Sequence, residues 1–434
     1  MRKITFIGIV LLICLPVICK AQYLRNSYFV EGNSARLSMN PALQPVRGYY
    51  NLPVIGAFNL EVSSNSLSYR DIMDVVGEED DFYKSNEFIN KLDIDNKLDL
   101  NLNTDIISFG YHKGPKFYSF NIGARVNVDA SIPRSMFEYL RDMDSDLITG
   151  SRRYNILNEE VNVNAYTEIG FGYSRVINDR LTIGTKIKGL LGCANMKLKV
   201  NELDIDAHLP DSDNLFLPYA DIATSAELEL SGKGVELQEN AEGYIEDVEF
   251  DKFGIGGFGA AIDLGINYKL TDHIALSAAI LDLGFISWNK GSSTVSKASG
   301  NIRVDGIDDL DVLDFDLFGL KKGEGKSRTT RLCPTLVLGG EYSILENKIG
   351  LGILSTTRFG EIENYSELTA SATFRPGNFF NATVSYSLMQ GSDTFGLALK
   401  LGGLFVGTDY MFLGDDTKHV NAYVGLSIPL AKKK

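Results

Sequence analysis

From about residue 57 onward the chain alternates apolar and polar positions with a period of two, which predicts β-strands. In residues 257–268 one face reads Phe258, Ala260, Ile262, Leu264, Ile266, Tyr268, and the other Gly257, Gly259, Ala261, Asp263, Gly265, Asn267. Residues 119–128 set Phe120, Ile122, Ala124, Val126 and Val128 against Ser119, Asn121, Gly123, Arg125 and Asn127. Residues 379–388 set Phe380, Ala382, Val384, Tyr386 and Leu388 against Asn381, Thr383, Ser385 and Ser387. A soluble sandwich alternates too, so the chemistry of the polar face has to discriminate. Here it is Gly, Ser, Thr and Asn with isolated charges, and Gly weakens a strand that faces water. A transmembrane barrel has a polar, filled lumen and an apolar band facing lipid, which suits this pattern better.

The same periodicity predicts fourteen strands: 57–69, 102–111, 117–129, 166–176, 181–191, 257–269, 274–287, 332–343, 348–356, 367–375, 379–388, 394–400, 404–412 and 420–428. Two further stretches, 197–205 and 222–230, have strand character inside a long link. Tight polar turns at 176–180, 270–273, 345–348 and 375–378 alternate with longer links at 192–256, 289–330, 357–366, 389–393 and 413–419. Alternating short and long connections are expected when one rim of a barrel carries turns and the other carries loops. Tyr173, Tyr268 and Tyr342 each precede a short turn, a spacing that suits an aromatic girdle at one membrane interface. The fold expected is therefore all-β: a transmembrane antiparallel barrel of about 14 strands, with both ends of the mature chain on the short-turn rim.

The N-terminus sets the compartment. Arg2 and Lys3 precede an apolar run from Ile4 to Cys19, with Cys19 and Ala21 as small residues before Gln22. This predicts a secretory signal peptide over residues 1–21, and the cell outer membrane as destination. Its removal takes away Arg2, Lys3 and Lys20, so the formal charge moves from −14 to −17. So acidic a chain lacks the basic footprint that nucleic acid requires. Two cysteines survive cleavage, Cys193 and Cys333, too few for a disulfide framework.

No chemistry-bearing constellation emerges. Gly254 to Gly259 spells G-x-G-x-x-G, but a strand follows where a dinucleotide site needs a helix. His112, His208, His273 and His419 are scattered without ligand spacing, and there is no Gly-x-Ser-x-Gly elbow. Acidic stretches at 78–81, 202–213 and 305–316 read as solvated outer loops, without the spacing of a calcium loop. Residues 133–143 read as a short helix with Pro133 in its first turn. The expectation is a protein that is not an enzyme and needs no cofactor or metal. The isolated acids Glu168, Asp263, Glu341, Glu367 and Asp409 are expected to pair across the lumen with Arg125, Lys186, Lys188, Arg375 and Lys400.

Several stretches carry a resemblance: "NPALQP" after the signal, "TEIGFGYSRVINDRLTIGTKIKGLLG" at 167–192, "AAIDLGINYKL" at 260–270, "LGGLFVGTDYMF" at 401–412 and "GLSIPL" near the end. They resemble an uncharacterised family of Gram-negative outer-membrane proteins, similar to FadL-type fatty-acid transport barrels and PorV-type secretion barrels. The FadL type carries an N-terminal plug with an Asn-Pro-Ala segment, which Ser34, Ala35, Asn40, Pro41 and Ala42 match. The resemblance implies a plug over residues 22–50 inside a barrel over 51–430 with long acidic outer loops, and Pro41 would keep the plug out of the sheet. It also implies passage or binding of a small hydrophobic molecule, with Arg125, Lys186, Lys188, Asp263, Glu341 and Arg375 as candidates for lining the lumen and anchoring the plug. The alternative is a barrel that transports nothing, and serves an envelope or secretion complex or displays its loops. Expected partners are outer-membrane lipid, a small hydrophobic ligand and other envelope proteins. No residue set reproduces a FadL fatty-acid site, and the chain ends in Lys432-Lys433-Lys434 where many barrels end on an aromatic residue.

Overall fold

The computed structural model describes residues 25–52, 57–68, 70–71, 85–143, 151–208, 219–250, 254–305, 318–389, 393–410 and 417–430. The expected signal peptide and the acidic stretches 78–81, 209–213 and 306–316 lie outside them. In chain order come helices α1 (Arg25–Phe29) and α2 (Arg36–Met39), strands β1 (Tyr49–Asn51) and β2 (Phe58–Ser64), and helix α3 (Asn86–Lys91). Strands β3 (Asp95–Lys113) and β4 (Lys116–Pro133) follow, then helix α4 (Arg134–Met143). Next come β5 (Ser151–Val176), β6 (Leu181–His208), β7 (Tyr219–Gly232), β8 (Val235–Glu239), β9 (Ile245–Phe250), β10 (Gly257–Lys269), β11 (Ile274–Trp288) and β12 (Ser293–Asp305). The chain continues with β13 (Glu324–Gly325), β14 (Arg328–Arg331), β15 (Thr335–Ile344), β16 (Ile349–Phe359), β17 (Asn364–Phe374), β18 (Phe380–Met389), β19 (Asp393–Leu401), β20 (Leu404–Thr408) and β21 (His419–Pro429).

Antiparallel pairing runs from β3 through β4, β5, β6, β10, β11, β15, β16, β17, β18, β19 and β20 to β21. The last strand then pairs with β1 and β2, which both pair with β3, so the sheet closes on itself. β1 and β2 are two pieces of one wall strand, and β14 prolongs β15 along β11, giving a closed barrel of 14 strands. Closure leaves no sheet edge, which is what lets strands cross lipid with every backbone group paired. Among the described residues no helix is long and apolar enough to cross a membrane.

The burial pattern is inverted relative to a soluble protein. In β18 Thr383 is 0% exposed and Val384 is 55% exposed, and along β10 Phe258, Leu264, Ile266 and Tyr268 all face outward. Only a solvent of hydrocarbon makes that arrangement stable, because in water each exposed large side chain forfeits roughly 1.5–3 kcal/mol. At the short-turn rim Tyr111, Tyr118 and Tyr173 sit side by side on β3, β4 and β5, with adjacent ring centroids 5.4 Å apart. Tyr268 and Tyr342 stand outward at the same rim.

The other rim differs from the sequence expectation. Much of the long link 192–256 is not loop: β6 runs on to His208, β7 pairs with it, and β12 pairs with β7. Strands β5 and β6 have 26 and 28 residues, whereas a tilted crossing takes about 9–11. More than half of each therefore rises above the membrane. The barrel wall and this extension part at Cys193, where the β5–β6 register shifts between Ala165 and Tyr166. One extra residue reverses which side chains face out. Ala194, Met196, Leu198 and Val200 consequently turn to the outer face, while Asn195 and Lys197 turn to the lumen side.

Above the membrane such apolar side chains need a cover. Met136 and Tyr139 of α4, Ile245 and Val248 of β9, and Phe318 and Leu320 close over Val161, Val163, Met196, Leu198 and Leu228. Glu159 lies on this apolar face opposite Val200, fully buried, and its Oε2 has no hydrogen-bond partner. Burial without a compensating charge pushes its carboxyl up to about 7. A raised carboxyl is neutral and harmless at low pH and must be buried charged at high pH, so stability is lost as pH rises from about 4.5 to about 7. Glu159→Gln should therefore leave the protein unchanged at pH 4 and stabilise the extension by up to about 3 kcal/mol at pH 8. Limited proteolysis of the extension across that pH range measures the difference.

Candidate functional site: a lumen filled by the N-terminal segment

Residues 25–45 lie inside the barrel. Tyr28, Phe29, Met39 and Leu43 pack on Ala279, Leu281, Val337 and Leu354 of the wall, and Val30 and Ala35 pack on Ala398, Phe405 and Tyr423. Close approach depends on wall glycines. A Cβ at Gly184 would collide with the Pro41 backbone, at Gly265 with Asn40, at Gly339 with Tyr28, at Gly352 with Phe29 and at Gly396 with Asn26. Glycine on the lumen face is thus the contact surface of this segment, which explains why so many strands tolerate it.

Polar contacts fix its position. The Arg25 guanidinium pairs with Glu367 and, at 3.2 Å, with Glu61, and it lies 5.0 Å from the Tyr410 ring centre. The backbone N–H groups of Arg25 and Asn26 donate to the two Asp409 carboxylate oxygens at 3.0 and 2.9 Å. Asn40 Nδ2 donates to the backbone oxygens of Ile266 and Ala278 at 3.1 and 3.2 Å, while its Oδ1 accepts the Ala42 N–H at 2.8 Å. Asn40 therefore reads two neighbouring strands and stiffens the turn at Pro41. Ser34 Oγ donates to Asn51 Oδ1 at 3.1 Å. Arg375 pairs with Glu341, donates to Asn347 O at 2.8 Å and reaches Phe29 O at 3.4 Å, so it ties the segment to the short-turn rim.

A second cluster faces the segment from β3–β6, β10 and β11. Glu168 accepts from Lys186 at 2.5 Å and from Asn121 at 2.9 Å, with Arg125 at 3.5 Å. Arg125 also pairs with Asp105 at 3.0 Å. Lys188 lies 2.8 Å from Asp263, 2.6 Å from Asp282 and 3.7 Å from Glu168, with 5% of its side chain exposed. Asp282 sits at a bulge with φ 58°, and its N–H donates to Asp263 Oδ1 at 2.8 Å. A cavity of about 90 Å³ separates this cluster from Ser34, Ala35 and Pro41, and it reaches Asn51 and Phe58 where β1 gives way to β2.

Of the residues singled out from the sequence, Arg125, Lys186, Lys188 and Asp263 meet in this cluster, while Glu341 and Arg375 meet at the segment itself. Lys400 departs from expectation. It donates to Asn378 O at 2.7 Å at the short-turn end of β19, whereas Glu367 lies toward the other end of the wall, opposite Met389, and pairs with Arg25. Arg25, Glu61, Arg358, Asp99 and Asp129 were not singled out. An isolated charge on the lumen face of a strand, the rule that selected Glu168, also selects Glu61.

Above the segment, toward the long-strand rim, two polar chambers open. One of about 330 Å³ is lined by Arg25, Asp99, Asn101, Arg358, Tyr365 and His419. Another of about 280 Å³ is lined by Asn127, Asn162, Asn164, Asn195, Arg328 and Cys333. Beneath the second, Tyr166, Leu190, Ala261, Ile286, Trp288 and Leu332 form an apolar layer on the lumen side.

Residues 41–409 match the model of a family of unknown function, DUF5723. The chain belongs to that family. This agrees with the uncharacterised family read from the sequence. No curated protein sequence matches it. Solved structures similar to this DUF5723 member include the Ralstonia pickettii toluene transporter TbuX, at 10% identity and a TM-score of 0.43 over 94% of this chain and 99% of that one. The Pseudomonas putida toluene transporter TodX gives 10% and 0.38 over 94% and 93%. A Pseudomonas aeruginosa FadL homologue gives 10% and 0.30 over 94% and 93%.

Proposed function

We propose that this chain is an outer-membrane barrel that passes or binds a small, mainly hydrophobic molecule. In this reading residues 1–21 are a cleaved signal peptide, 22–50 the gate and 51–430 the barrel with its outer loops. The observation that carries the reading is a lumen filled by the chain's own N-terminal segment, with cavities on both sides of it. A structural core would be sealed by apolar packing throughout. Beside its two apolar contacts, this segment is held to the wall by ion pairs and hydrogen bonds, which can exchange for water or ligand. The apolar layer around Trp288, next to the 280 Å³ chamber, supports a cargo with a hydrophobic body. No reacting group enters the mechanism: the segment shifts, and the path opens.

The folded extension favours a second reading, a barrel that presents a rigid surface to other envelope proteins. Proteoliposomes separate the two. Expected is influx of a small fluorescent hydrophobic probe above that of protein-free vesicles, with a sugar such as arabinose excluded. A barrel sealed to both probes that co-purifies with envelope proteins would replace the transport reading by the partner reading.

A further inference from the structure

The extracellular mouth is crossed by charges from the wall that faces β3–β6. The hairpin joining β16 to β17 spans Phe359 to Asn364, and the barrel order places it half-way round from β3. Two charged residues of this connection, and Arg358 at the end of β16 just before it, reach the opposite wall. Glu361 lies 2.6 Å from Lys197 on β6, which also lies 3.4 Å from Glu160 on β5. Glu363 lies 3.0 Å from Lys97 on β3. Deeper in, Arg358 lies 2.7 Å from Asp99 and 3.3 Å from Asp129.

The deepest contact shows a wall shaped for it. Asp99 and Asp129 are direct partners in the β3–β4 ladder, both buried and both facing the lumen. Like charges directly opposite each other destabilise a sheet. Here the cation that offsets them comes from across the barrel, so the carboxylate pair is a socket for Arg358. The two outer pairs are about one-third exposed, and exposed pairs form and break readily in water. Burial rises inward, from a yielding outer bar to a firm inner one. Together the three bars divide the mouth into the two polar chambers, with Asp99 and Arg358 lining one, and Asp129 and Glu361 the other.

We infer that the β16–β17 hairpin is an electrostatic latch over the external mouth, which must release before a molecule reaches the lumen. This rests on the proposed function, whose gate is the segment filling the lumen, and adds a second, outer control. A native reporter sits beneath the latch: Cys333 is half-buried and lines the 280 Å³ chamber with Asp129 and Glu361. With Cys193 replaced by alanine, labelling of Cys333 by a membrane-impermeant maleimide reads opening directly, without any ligand.

Glu361→Gln with Glu363→Gln should raise the labelling rate about tenfold, the expected effect of losing two partly exposed pairs. One molar salt should raise the wild-type rate and barely change that of the double variant. Glu363→Lys alone should open the latch, and adding Lys97→Glu should close it again, a rescue that a merely structural role for the hairpin does not give. Equal labelling rates in wild type and the double variant would overturn the latch, whatever crosses the barrel. Faster labelling, with no probe crossing even when Arg25 is also replaced, would retire the transport reading and leave the latch as a lid over a binding chamber.

Discussion

Lys188→Met is expected to lower barrel stability by about 3–5 kcal/mol, the typical cost of leaving buried carboxylates without their cation. Methionine keeps the apolar stem and removes only the ammonium, so the loss is electrostatic. Lys188 bridges Asp263 and Asp282 at 2.8 and 2.6 Å. Glu168, by contrast, retains Lys186 and Arg125. With Lys188 gone the two aspartates face each other at the bulge, and their mutual repulsion adds to the desolvation cost. Lys188→Met combined with Asp263→Asn and Asp282→Asn should recover most of the loss, because no buried charge is then unpaired. The measurement is the temperature at which unboiled, detergent-extracted protein converts to the boiled gel mobility, at a fixed heating rate, since large barrels unfold irreversibly. A variant that converts at the wild-type temperature would mean that the cluster does not hold the wall together.

The barrel was legible in the sequence because lipid and lumen impose opposite chemistry on successive residues. Asn381, Thr383, Ser385 and Ser387 are buried and Val384 and Leu388 exposed, so the alternation that predicted β18 also told which side was inside out. The extension was legible only in part. Residues 197–205 and 222–230 have strand character and lie on β6 and β7. Their place outside the membrane was not legible, for a reason of the same kind. Met196, Leu198 and Val200 alternate with Lys197 and Lys199 as a membrane wall would, but the register shift at Cys193 and the cover of α4 and β9 belong to tertiary structure. Lumen pairing was legible where both partners lie on neighbouring strands, as with Glu168 and Lys186, whose side chains alternation points the same way. It was not legible where the partner arrives from far along the chain. Arg25 meets Asp409 across 384 positions, and no local pattern marks that contact.

Arg25→Ala keeps that backbone contact with Asp409 but removes the guanidinium's pairs with Glu61 and Glu367, and should free the N-terminal segment while leaving the barrel closed. The guanidinium lies between Glu61 and Glu367, and its loss leaves both acids around the Tyr410 hydroxyl, which lies 3.2 Å from each. Removing one partner of buried pairs costs about 3–5 kcal/mol, enough to shift a seated-to-released equilibrium several-hundredfold toward release. The strands do not depend on this contact, since β2, β17 and β21 are fixed by their own ladders. The gel mobility shift should therefore survive, whereas protease added at the short-turn side should cut residues 25–45 far faster than in wild type. Release will not be complete, because Tyr28, Phe29 and Met39 still bury apolar surface against Val337 and Leu354. Arg25→Lys should fall between the two: it restores the charge but replaces the broad guanidinium fork with a single ammonium that cannot reach both acids as well. If Arg25→Ala resists the protease as wild type does, the segment is a fixed part of the core, and a gate must be sought at the outer rim.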